Sequence, residues 1–370
     1  MIRIGMVGIG QIAEDYLSIF AKGEIKEAKI TALASRNEDR VKGLIKDYDL
    51  GSVHYYKTLE EMLKDDKIDA VMITTPHTLH EDMARLAIKY GKHVLVDKPL
   101  GITTMEVDRL DQLAEENPKL TLGVLFNRRS NDLYQKVKEI TSSKELGELR
   151  RASWQITNLY RTYAYYETSS WRGSFKTEGG GVLMNQAIHQ LDLFLWFTGM
   201  PEAVMAYTRE GFHRPMNTEN DVNMTMFYPE GATGHFIAST HESPGTNRLE
   251  LSYTKGQIIV EDDARLKITR LLEEEESFAK KETTFFTHVP MSVEEITMDP
   301  TPNKEEQKRT IQNFIDAINK KADVLCSFKE GKNTVRMVNS AYLSSWKNKL
   351  IRLDFRGETY QKELDARIES

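Results

Sequence analysis

Short apolar runs alternate with amphipathic stretches over the first third of the chain, to about residue 125. The apolar runs are rich in β-branched residues and predict strands at 2–7, 29–34, 53–56, 69–74, 93–96 and 120–126. The stretches between them repeat apolar residues at helical spacing and predict helices at 11–22, 38–47, 59–65, 79–90 and 103–117. Strands that alternate with helices indicate βαβ units and a parallel sheet.

The remainder of the chain has a different pattern. A helix at 131–142 and a strand at 149–157 are followed by one long helical run at 181–198. Short strand-like segments separated by polar or glycine turns then predict a large, mostly antiparallel sheet, at 203–208, 222–228, 233–240, 249–254, 257–261 and 266–269. Two helices, at 305–320 and 331–348, close the chain. We therefore predict an α/β protein with a dinucleotide-binding (Rossmann) domain at 1–126 and an α+β domain at 127–370, whose last helices pack back on the first domain.

Composition narrows the function classes. The chain has 370 residues, a formal net charge of −6 and a single cysteine, Cys326. The acidic excess argues against nucleic-acid and membrane binding, and no apolar run reaches the roughly 18 residues of a membrane span. One cysteine rules out an intrachain disulfide and a cysteine-based zinc site. We expect a cytoplasmic protein without a metal, in which the charge run 271–282 is a solvated face or loop.

The segment 8–13, GIGQIA, matches the G-x-G-x-x-G/A pattern between a predicted strand and a predicted helix. Gly8 permits the tight turn, and Gly10 lets the backbone approach a pyrophosphate. Gln11 and Ile12 open the helix, whose free N–H groups attract phosphate. The pattern therefore predicts a dinucleotide site.

The end of the second strand distinguishes NAD from NADP. An acidic residue usually stands there and binds the ribose 2′-hydroxyl of NAD, but this chain has Ser35 and Arg36. Because no carboxylate repels a 2′-phosphate and Arg36 can pair with one, the sequence favours NADP. The alternative is that Arg36 stacks on the adenine or faces solvent.

Two further strand ends carry polar residues, in the segments Thr74–His80 and Asp97-Lys98-Pro99. Ligands of open parallel sheets bind beyond the carboxyl ends of the strands. A lysine directly after a buried strand is costly unless it faces a polar cleft. We therefore place Lys98 in the cofactor cleft rather than in a surface ion pair with Asp97.

A polar stripe marks the long apolar run at 181–198. Asn185, His189 and Asp192 follow one another at positions i, i+4 and i+7, so that in one continuous helix they share a face. A buried polar stripe needs hydrogen-bond partners, which a core network or a ligand can supply. We favour the wall of an active-site cleft; two such side chains are a poor basis for a metal site.

Together these motifs resemble the Gfo/Idh/MocA family of NAD(P)-dependent oxidoreductases. The resemblance covers essentially the whole chain and lies in GIGQIA at 8–13, TPHTLH at 75–80, DKP at 97–99 and GGGVLMNQAIHQLD at 179–192. It implies a Rossmann domain followed by a domain with a large, mostly antiparallel sheet whose open face makes a homo-oligomer. It also implies hydride transfer between a nicotinamide and a secondary alcohol or ketone of a sugar or polyol.

The resemblance assigns roles by position. Lys98 matches the lysine that contacts substrate and cofactor, and His189 matches the catalytic acid/base. From its position three residues after His189, we expect Asp192 either to orient His189 or to bind substrate hydroxyls. The predicted cofactor-binding residues are Gly8, Gly10, Gln11, Ile12, Ser35, Arg36, Thr75, Pro76, His80, Asp97, Lys98 and Asn127. The predicted substrate-binding residues are Lys98, Tyr160, Trp171, Arg172, Asn185 and His189.

One departure from the family pattern points to the substrate. Many polyol-oxidising members have an aspartate four residues before the histidine, where this chain has Asn185. Asparagine there, with the segments 165–173 and 239–251, resembles members that oxidise C3 of a pyranose held in a glycoside or sugar nucleotide. We therefore predict a sugar dehydrogenase that acts on C3 of a pyranoside.

Three alternatives stay open on the sequence. The same residues can run in reverse, in an NADPH-dependent reductase of a keto-sugar or dicarbonyl. A nucleotide-sensing regulator without turnover is disfavoured, because a pure sensor needs neither Lys98 nor His189. A protein that holds its NAD(H) tightly and recycles it between two sugars would have the same sequence features.

Overall fold

The computed structural model describes residues 1–167 and 171–369. Six parallel strands form the first sheet, in the order β3-β2-β1-β4-β5-β6. These strands are β1 (Ile2–Val7), β2 (Ala28–Ala34), β3 (His54–Tyr56), β4 (Ala70–Ile73), β5 (His93–Asp97) and β6 (Leu122–Leu125). The helices between them are α1 (Gln11–Ala21), α2 (Glu38–Asp47), α3 (Leu59–Leu63), α4 (His80–Lys89) and α5 (Thr104–Glu116). The strand order reverses between β1 and β4, where a doubly wound sheet opens a crevice for ligands.

Nine strands form the second sheet, in the order β14-β13-β12-β11-β7-β10-β9-β8-β15. Its strands are β7 (Leu149–Ile156), β8 (Ala203–Glu210), β9 (Glu219–Phe227), β10 (Thr233–Ser239), β11 (Asn247–Tyr253), β12 (Gly256–Glu261), β13 (Arg265–Leu271), β14 (Met291–Thr297) and β15 (Ile351–Arg352). Neighbours pair antiparallel except β7 and β10, which are parallel. The sheet is therefore mixed and mostly antiparallel, which confirms the predicted fold class.

Seven helices accompany this sheet in the described part of the chain: α6 (Asp132–Ser143), α7 (Tyr163–Glu167), α8 (Ile188–Thr198), α9 (Glu275–Lys281), α10 (Asn303–Ile318), α11 (Phe328–Lys347) and α12 (Gly357–Glu369). The late helices return to the first domain: α10 contacts α1 and β6, and α11 and α12 contact α5. Helix α9 lies in the charge run 271–282 and buries none of its residues. No helix of residues 1–167 and 171–369 is long and apolar enough to cross a membrane.

The long helix predicted at 181–198 is shorter than expected and begins only at Ile188. The carboxylate of Glu219 on β9 accepts the backbone N–H groups of Gly181 and Leu183, each at 2.8 Å. A Cβ on Gly181 would lie 1.9 Å from the carbonyl oxygen of Glu219, so the backbone approaches β9 at a distance that only glycine allows. These contacts hold 181–187 as turns, and Asn185 therefore precedes the helix instead of lying on it.

Candidate active site

Two cavities open at the carboxyl edge of the parallel sheet, beside the crevice between β1 and β4. The Lys98 cavity, about 500 Å³, is lined by Gly10, Gln11, Ile12, Asp15, Tyr16, Thr74, Thr75, Pro76, His77, Asp97, Lys98, Asn127, Tyr165, Trp171, Arg172, Asn185, His189, Asn303 and Gln307. The Arg36 cavity, about 640 Å³, is lined by Val7, Gly8, Ile9, Gly10, Ala34, Ser35, Arg36, Asn37, Lys57, Thr58, Leu59, Thr74, Thr75, Pro76, Leu79 and Met83. Shared residues, among them Gly10 and Thr75, make the two cavities parts of one cleft.

The glycine turn after β1 lies where the two cavities meet, since Gly10 lines both of them. Gly8 has a φ of +91°, and a Cβ there would lie 2.6 Å from the backbone nitrogen of Thr75. Around Gly10 a Cβ would meet nothing within 4 Å, and no side chain caps the first turn of α1. Open space in front of free N–H groups at a helix N-terminus suits a pyrophosphate.

The Arg36 cavity carries positive charge and no acidic side chain among its lining residues. Arg36 and Lys57 both line it, from the ends of β2 and β3. Asn37 is held in place as the N-cap of α2, where its side chain accepts the N–H of Arg40 at 3.0 Å. The cavity thus presents two cations at the strand end where NAD-binding sites usually carry a carboxylate.

Lys98 and Asn185 are joined across the Lys98 cavity. The ammonium of Lys98 donates to the carbonyl oxygen of Asn185 at 3.0 Å and to its side-chain Oδ1 at 2.9 Å. Burial lowers the pKa of Lys98, whereas the carboxylates of Asp97 and Glu178 raise it. The structure therefore places a partly buried ammonium at the wall of the Lys98 cavity.

His189 lies in the first turn of α8 and lines the same cavity. Its ring meets Phe126 edge-on, with centroids 5.9 Å apart. Burial and the nearby charges of Lys98 and Arg128 lower the pKa of His189 well below its usual range. The imidazole is consequently neutral at neutral pH, which is the form that accepts a proton.

The structure corrects the prediction that Asp192 orients His189. Asp192 is 1% exposed and does not line the Lys98 cavity. Its two carboxylate oxygens accept hydrogen bonds from Arg129, each of 2.8 Å, and Thr334 donates a third at 3.2 Å. Asp192 therefore neutralises a buried arginine rather than a histidine, and His189 Nδ1 has no hydrogen-bond partner in the described chain.

His80 is also placed differently from the prediction. It is fully buried and lines neither cavity. Its ring nitrogens lie 2.6 Å and 2.7 Å from the carbonyl oxygens of Pro99 and Thr75, so it joins the two loops behind the cleft. His77, three residues earlier, is the one that lines the Lys98 cavity; its Nδ1 lies 2.9 Å from the carbonyl oxygen of Glu178.

The predicted substrate residues divide into two groups. Trp171 and Arg172 line the Lys98 cavity, and the guanidinium carbon of Arg172 lies 4.4 Å from the ring centroid of Tyr165. Tyr160 does not line it: the side chain is 48% exposed and packs under Arg214. Within the predicted segment 165–173, residues 168–170 lie outside the described residues.

Seven residues that line the Lys98 cavity are not among the predicted site residues: Asp15, Tyr16, Thr74, His77, Tyr165, Asn303 and Gln307. Asp15 lies one helical turn after Gln11, which was predicted, so the spacing on α1 could have indicated it. Asn303 and Gln307 belong to α10 and have the same i, i+4 spacing. Their position follows from the return of α10 to the first domain, which local sequence does not specify.

Unpaired polar atoms at the Lys98 cavity indicate that a polar ligand belongs there. Five buried atoms of its lining residues have no hydrogen-bond partner in the described chain: Tyr16 Oη, Asn127 Oδ1, Arg172 Nε, His189 Nδ1 and Gln307 Oε1. Buried polar groups are normally hydrogen-bonded. With the open turn at Gly10, these atoms fit a dinucleotide and a polyhydroxylated substrate. No cluster that could hold a metal ion occurs in residues 1–167 and 171–369.

A Rossmann sheet, a glycine turn at its switch point and a lysine–histidine wall define a dinucleotide-dependent oxidoreductase. Residues 2–126 match the model of an oxidoreductase family with an NAD-binding Rossmann fold, and residues 134–259 match the C-terminal domain model of the same family. The two matches cover about two thirds of the chain. The chain belongs to the Gfo/Idh/MocA family of NAD(P)-dependent oxidoreductases.

Curated relatives and solved structures agree with this membership. The chain is 31% identical over 205 residues to Oxidoreductase P35 of Formosa agariphila, a match that covers 55% of this chain and 62% of that protein. It is 26% identical over 351 residues to D-xylose 1-dehydrogenase (NADP(+)) 2 of Haloferax volcanii, covering 95% of this chain and 98% of the relative. Levoglucosan dehydrogenase in complex with NADH and levoglucosan superposes with a TM-score of 0.79 at 17% identity, covering 96% of this chain and 100% of that one, and so has the same fold.

Proposed function

We propose that this protein transfers a hydride between a nicotinamide cofactor and a secondary alcohol of a sugar, at C3 of a pyranoside. One observation carries the proposal: the ammonium of Lys98 and the neutral imidazole of His189 line the same cavity, next to the dinucleotide turn. A cation and a base on one wall are what the removal of a proton from a hydroxyl group needs.

In the proposed reaction the substrate hydroxyl lies between Lys98 and His189. His189 accepts the hydroxyl proton, and Lys98 stabilises the negative charge that develops on the oxygen. The bound nicotinamide supplies the acceptor for the hydride that leaves the carbon. In the reverse direction His189 returns the proton to the oxygen. Trp171 and Tyr165 line the same cavity and supply apolar surface for packing against the sugar ring.

The substrate class rests on Asn185 and on the relatives. Asn185 replaces the carboxylate expected of polyol-oxidising members and cannot take a proton, so His189 is the sole base that we assign. D-xylose 1-dehydrogenase and levoglucosan dehydrogenase are both named for sugars. These names support a sugar substrate, and the choice of C3 follows from the sequence resemblance at Asn185 and in the segments 165–173 and 239–251.

For the cofactor we propose NADP(H). Arg36 and Lys57 line the Arg36 cavity, where no lining side chain is acidic. A 2′-phosphate gains a charge-assisted hydrogen bond there, whereas NAD finds no carboxylate for its ribose.

The test is turnover with defined sugars. Purified protein is mixed with NADP⁺ or NAD⁺ and a panel of methyl pyranosides, and absorbance is followed at the reduced-nicotinamide band. Lys98→Ala and His189→Ala should each abolish turnover while cofactor binding persists. Full activity in either variant would overturn the assignment. Denaturing release, with mass identification of any copurified nucleotide, tests whether NAD(H) is instead held and recycled.

The second candidate is an NADPH-dependent reductase of a keto-sugar or dicarbonyl. The positively charged Arg36 cavity favours it, because cells keep NADP largely reduced. Oxidation of NADPH by 3-keto-glucosides or small dicarbonyls, with no reaction of the matching alcohols, would select this direction.

We further propose a homo-oligomer formed through the open face of the second sheet. Met205 and Tyr207 on β8 and Phe227 on β9 point to that face and are exposed, Tyr207 by 63%. Exposed apolar patches on a sheet indicate an interface. Light scattering of the protein and of Tyr207→Glu tests it: a multimeric mass that falls in the variant is expected, and a monomeric wild type would contradict it.

A further inference from the structure

Glu178 is a buried carboxyl group next to the Lys98 cavity that none of the assigned roles uses. It lies before the three glycines 179–181 and is 1% exposed. One carboxylate oxygen accepts the backbone N–H of Gly173 at 2.6 Å, and the other accepts Nδ2–H of Asn185 at 2.5 Å. Both oxygens therefore face donors, an arrangement that suits the ionised carboxylate.

The contact with Glu178 determines how the Asn185 amide is oriented. With Nδ2 bonded to Glu178, Oδ1 points in the other direction and accepts the ammonium of Lys98 at 2.9 Å. A flipped amide would place its NH₂ group against the Lys98 ammonium and its oxygen against the carboxylate. The three side chains thus form one hydrogen-bonded relay, in which Lys98 donates to Asn185 and Asn185 donates to Glu178.

We infer that Glu178 is a positioning residue: it orients Asn185, and through Asn185 it holds the Lys98 ammonium at the reacting oxygen and supplies its counter-charge. The inference rests on the proposed function in so far as Lys98 acts in turnover, but the hydrogen-bonded relay of Glu178, Asn185 and Lys98 is testable without a substrate. Glu178 does not line the cavity, so it acts only through its neighbours.

Several charged or titratable groups face Glu178. They are Lys98 after β5, Arg172 and Tyr166 from the segment around α7, and His77, whose ring contacts the Glu178 carbonyl. Burial raises the pKa of Glu178 to about 7, and the Gly173 and Asn185 hydrogen bonds and the Lys98 and Arg172 charges lower it. Below that pH a protonated carboxyl loses an acceptor and the counter-charge, so turnover should fall on the acid side.

The first experiment measures Lys98 itself. Competitive acetylation at a series of pH values, read by peptide mass spectrometry, gives the midpoint at which Lys98 becomes reactive. In Glu178→Gln this midpoint should fall by about one pH unit, because an anion that favours the ammonium is removed. Glu81→Gln is the matched control, since Glu81 is buried but paired with Arg109. An unchanged Lys98 midpoint in folded Glu178→Gln would overturn the inference.

A second variant, Lys98→Met, tests the same interaction from the other side and keeps the inference testable if Glu178→Gln does not fold. In Lys98→Met, the pKa of the Glu178 carboxyl, followed by ¹³C NMR of labelled glutamate, should rise because the cation is lost. No change would overturn the inference. Once a substrate is found, Glu178→Gln should lower kcat about tenfold and remove the acid limb near pH 7, with the KM for cofactor unchanged. Absence of sugar turnover in the wild type would contradict the proposed function, whereas the effect of Glu178 on the acetylation midpoint of Lys98 would be unaffected.

Discussion

The guanidinium of Arg129 donates two parallel hydrogen bonds of 2.8 Å to the carboxylate of Asp192, from Nε to Oδ2 and from Nη2 to Oδ1. Both side chains are almost completely buried. Arg129 also donates to Glu330 at 2.5 Å, so it ties the start of α11 to α8. Asp192 thus belongs to the framework that supports the site.

We expect Asp192→Asn to reduce stability far more than catalysis. Removing Asp192 leaves the buried Arg129 with only the partly exposed carboxylate of Glu330 as a counter-charge, and should cost up to about 3 kcal/mol of unfolding free energy. Urea unfolding measures this loss, and kcat of the folded fraction should stay within about threefold of the wild type. Asp108→Asn, which breaks the more exposed pair with Arg336, is the control and should cost less than about 1 kcal/mol. A stable but inactive Asp192→Asn would restore Asp192 to a catalytic role.

The pKa of His189 should depend on Lys98. Because burial and the two nearby cations lower the pKa of His189, removing the Lys98 charge favours the imidazolium and should raise that pKa toward its usual value near 6.5. NMR titration of labelled histidine in the wild type and in Lys98→Met measures the shift without turnover. A His189 pKa that stays the same or falls in the variant would show that the two side chains are not electrostatically coupled.

Arg36 should decide between the two cofactors. Loss of a charge-assisted hydrogen bond costs roughly 1.5–3 kcal/mol, so Arg36→Ala should raise the KM for NADP⁺ at least about tenfold while that for NAD⁺ changes little. Arg40→Ala is the matched control, since Arg40 pairs with Glu14 and lines neither cavity. An unchanged preference in Arg36→Ala would mean that Arg36 does not contact the 2′-phosphate.

The two glycines of the turn should respond in opposite ways to alanine. Gly8→Ala places a Cβ against the backbone of Thr75 at a positive φ, and should cost about 2 kcal/mol of stability. In Gly10→Ala the added methyl group has no atom within 4 Å, so the melting temperature should stay unchanged. Cofactor affinity should fall, because the methyl group occupies the expected phosphate position. Thermal melting and fluorescence titration with NADPH separate the two effects. Undiminished binding by Gly10→Ala would place the phosphates elsewhere.

The first domain was predictable because its determinants are local. Each strand and helix from β1 to β6 carries its own apolar period, and Gly8 and Gly10 sit directly between β1 and α1. The strand β14 was missed since its residues are almost all exposed, so no face is marked by apolar residues. The start of α8 was misplaced because Glu219, far along the chain, takes the N–H groups of Gly181 and Leu183.

Side-chain roles were harder to predict than elements. The spacing of Asp192 from His189 suggests a catalytic partner, but the carboxylate of Asp192 is hydrogen-bonded to Arg129, which lies 63 residues earlier in the chain. His80 and His77 occur in one short motif and both are buried, but His80 is held by two carbonyl groups behind the cleft whereas His77 lines the Lys98 cavity. Gly10, Thr75 and Lys98, which follow strands β1, β4 and β5, line the Lys98 cavity because parallel strands end at a common edge.

Transfer of deuterium from a labelled sugar tests the central claim most directly. Methyl glucoside carrying deuterium at C3 is incubated with the protein and NADP⁺, and the reduced cofactor is analysed by mass spectrometry. Our account predicts deuterium in the NADPH formed by the wild type and no NADPH from Lys98→Ala or His189→Ala. Unlabelled NADPH would show that hydride leaves another carbon, and NADPH formed by both variants would contradict the roles of Lys98 and His189.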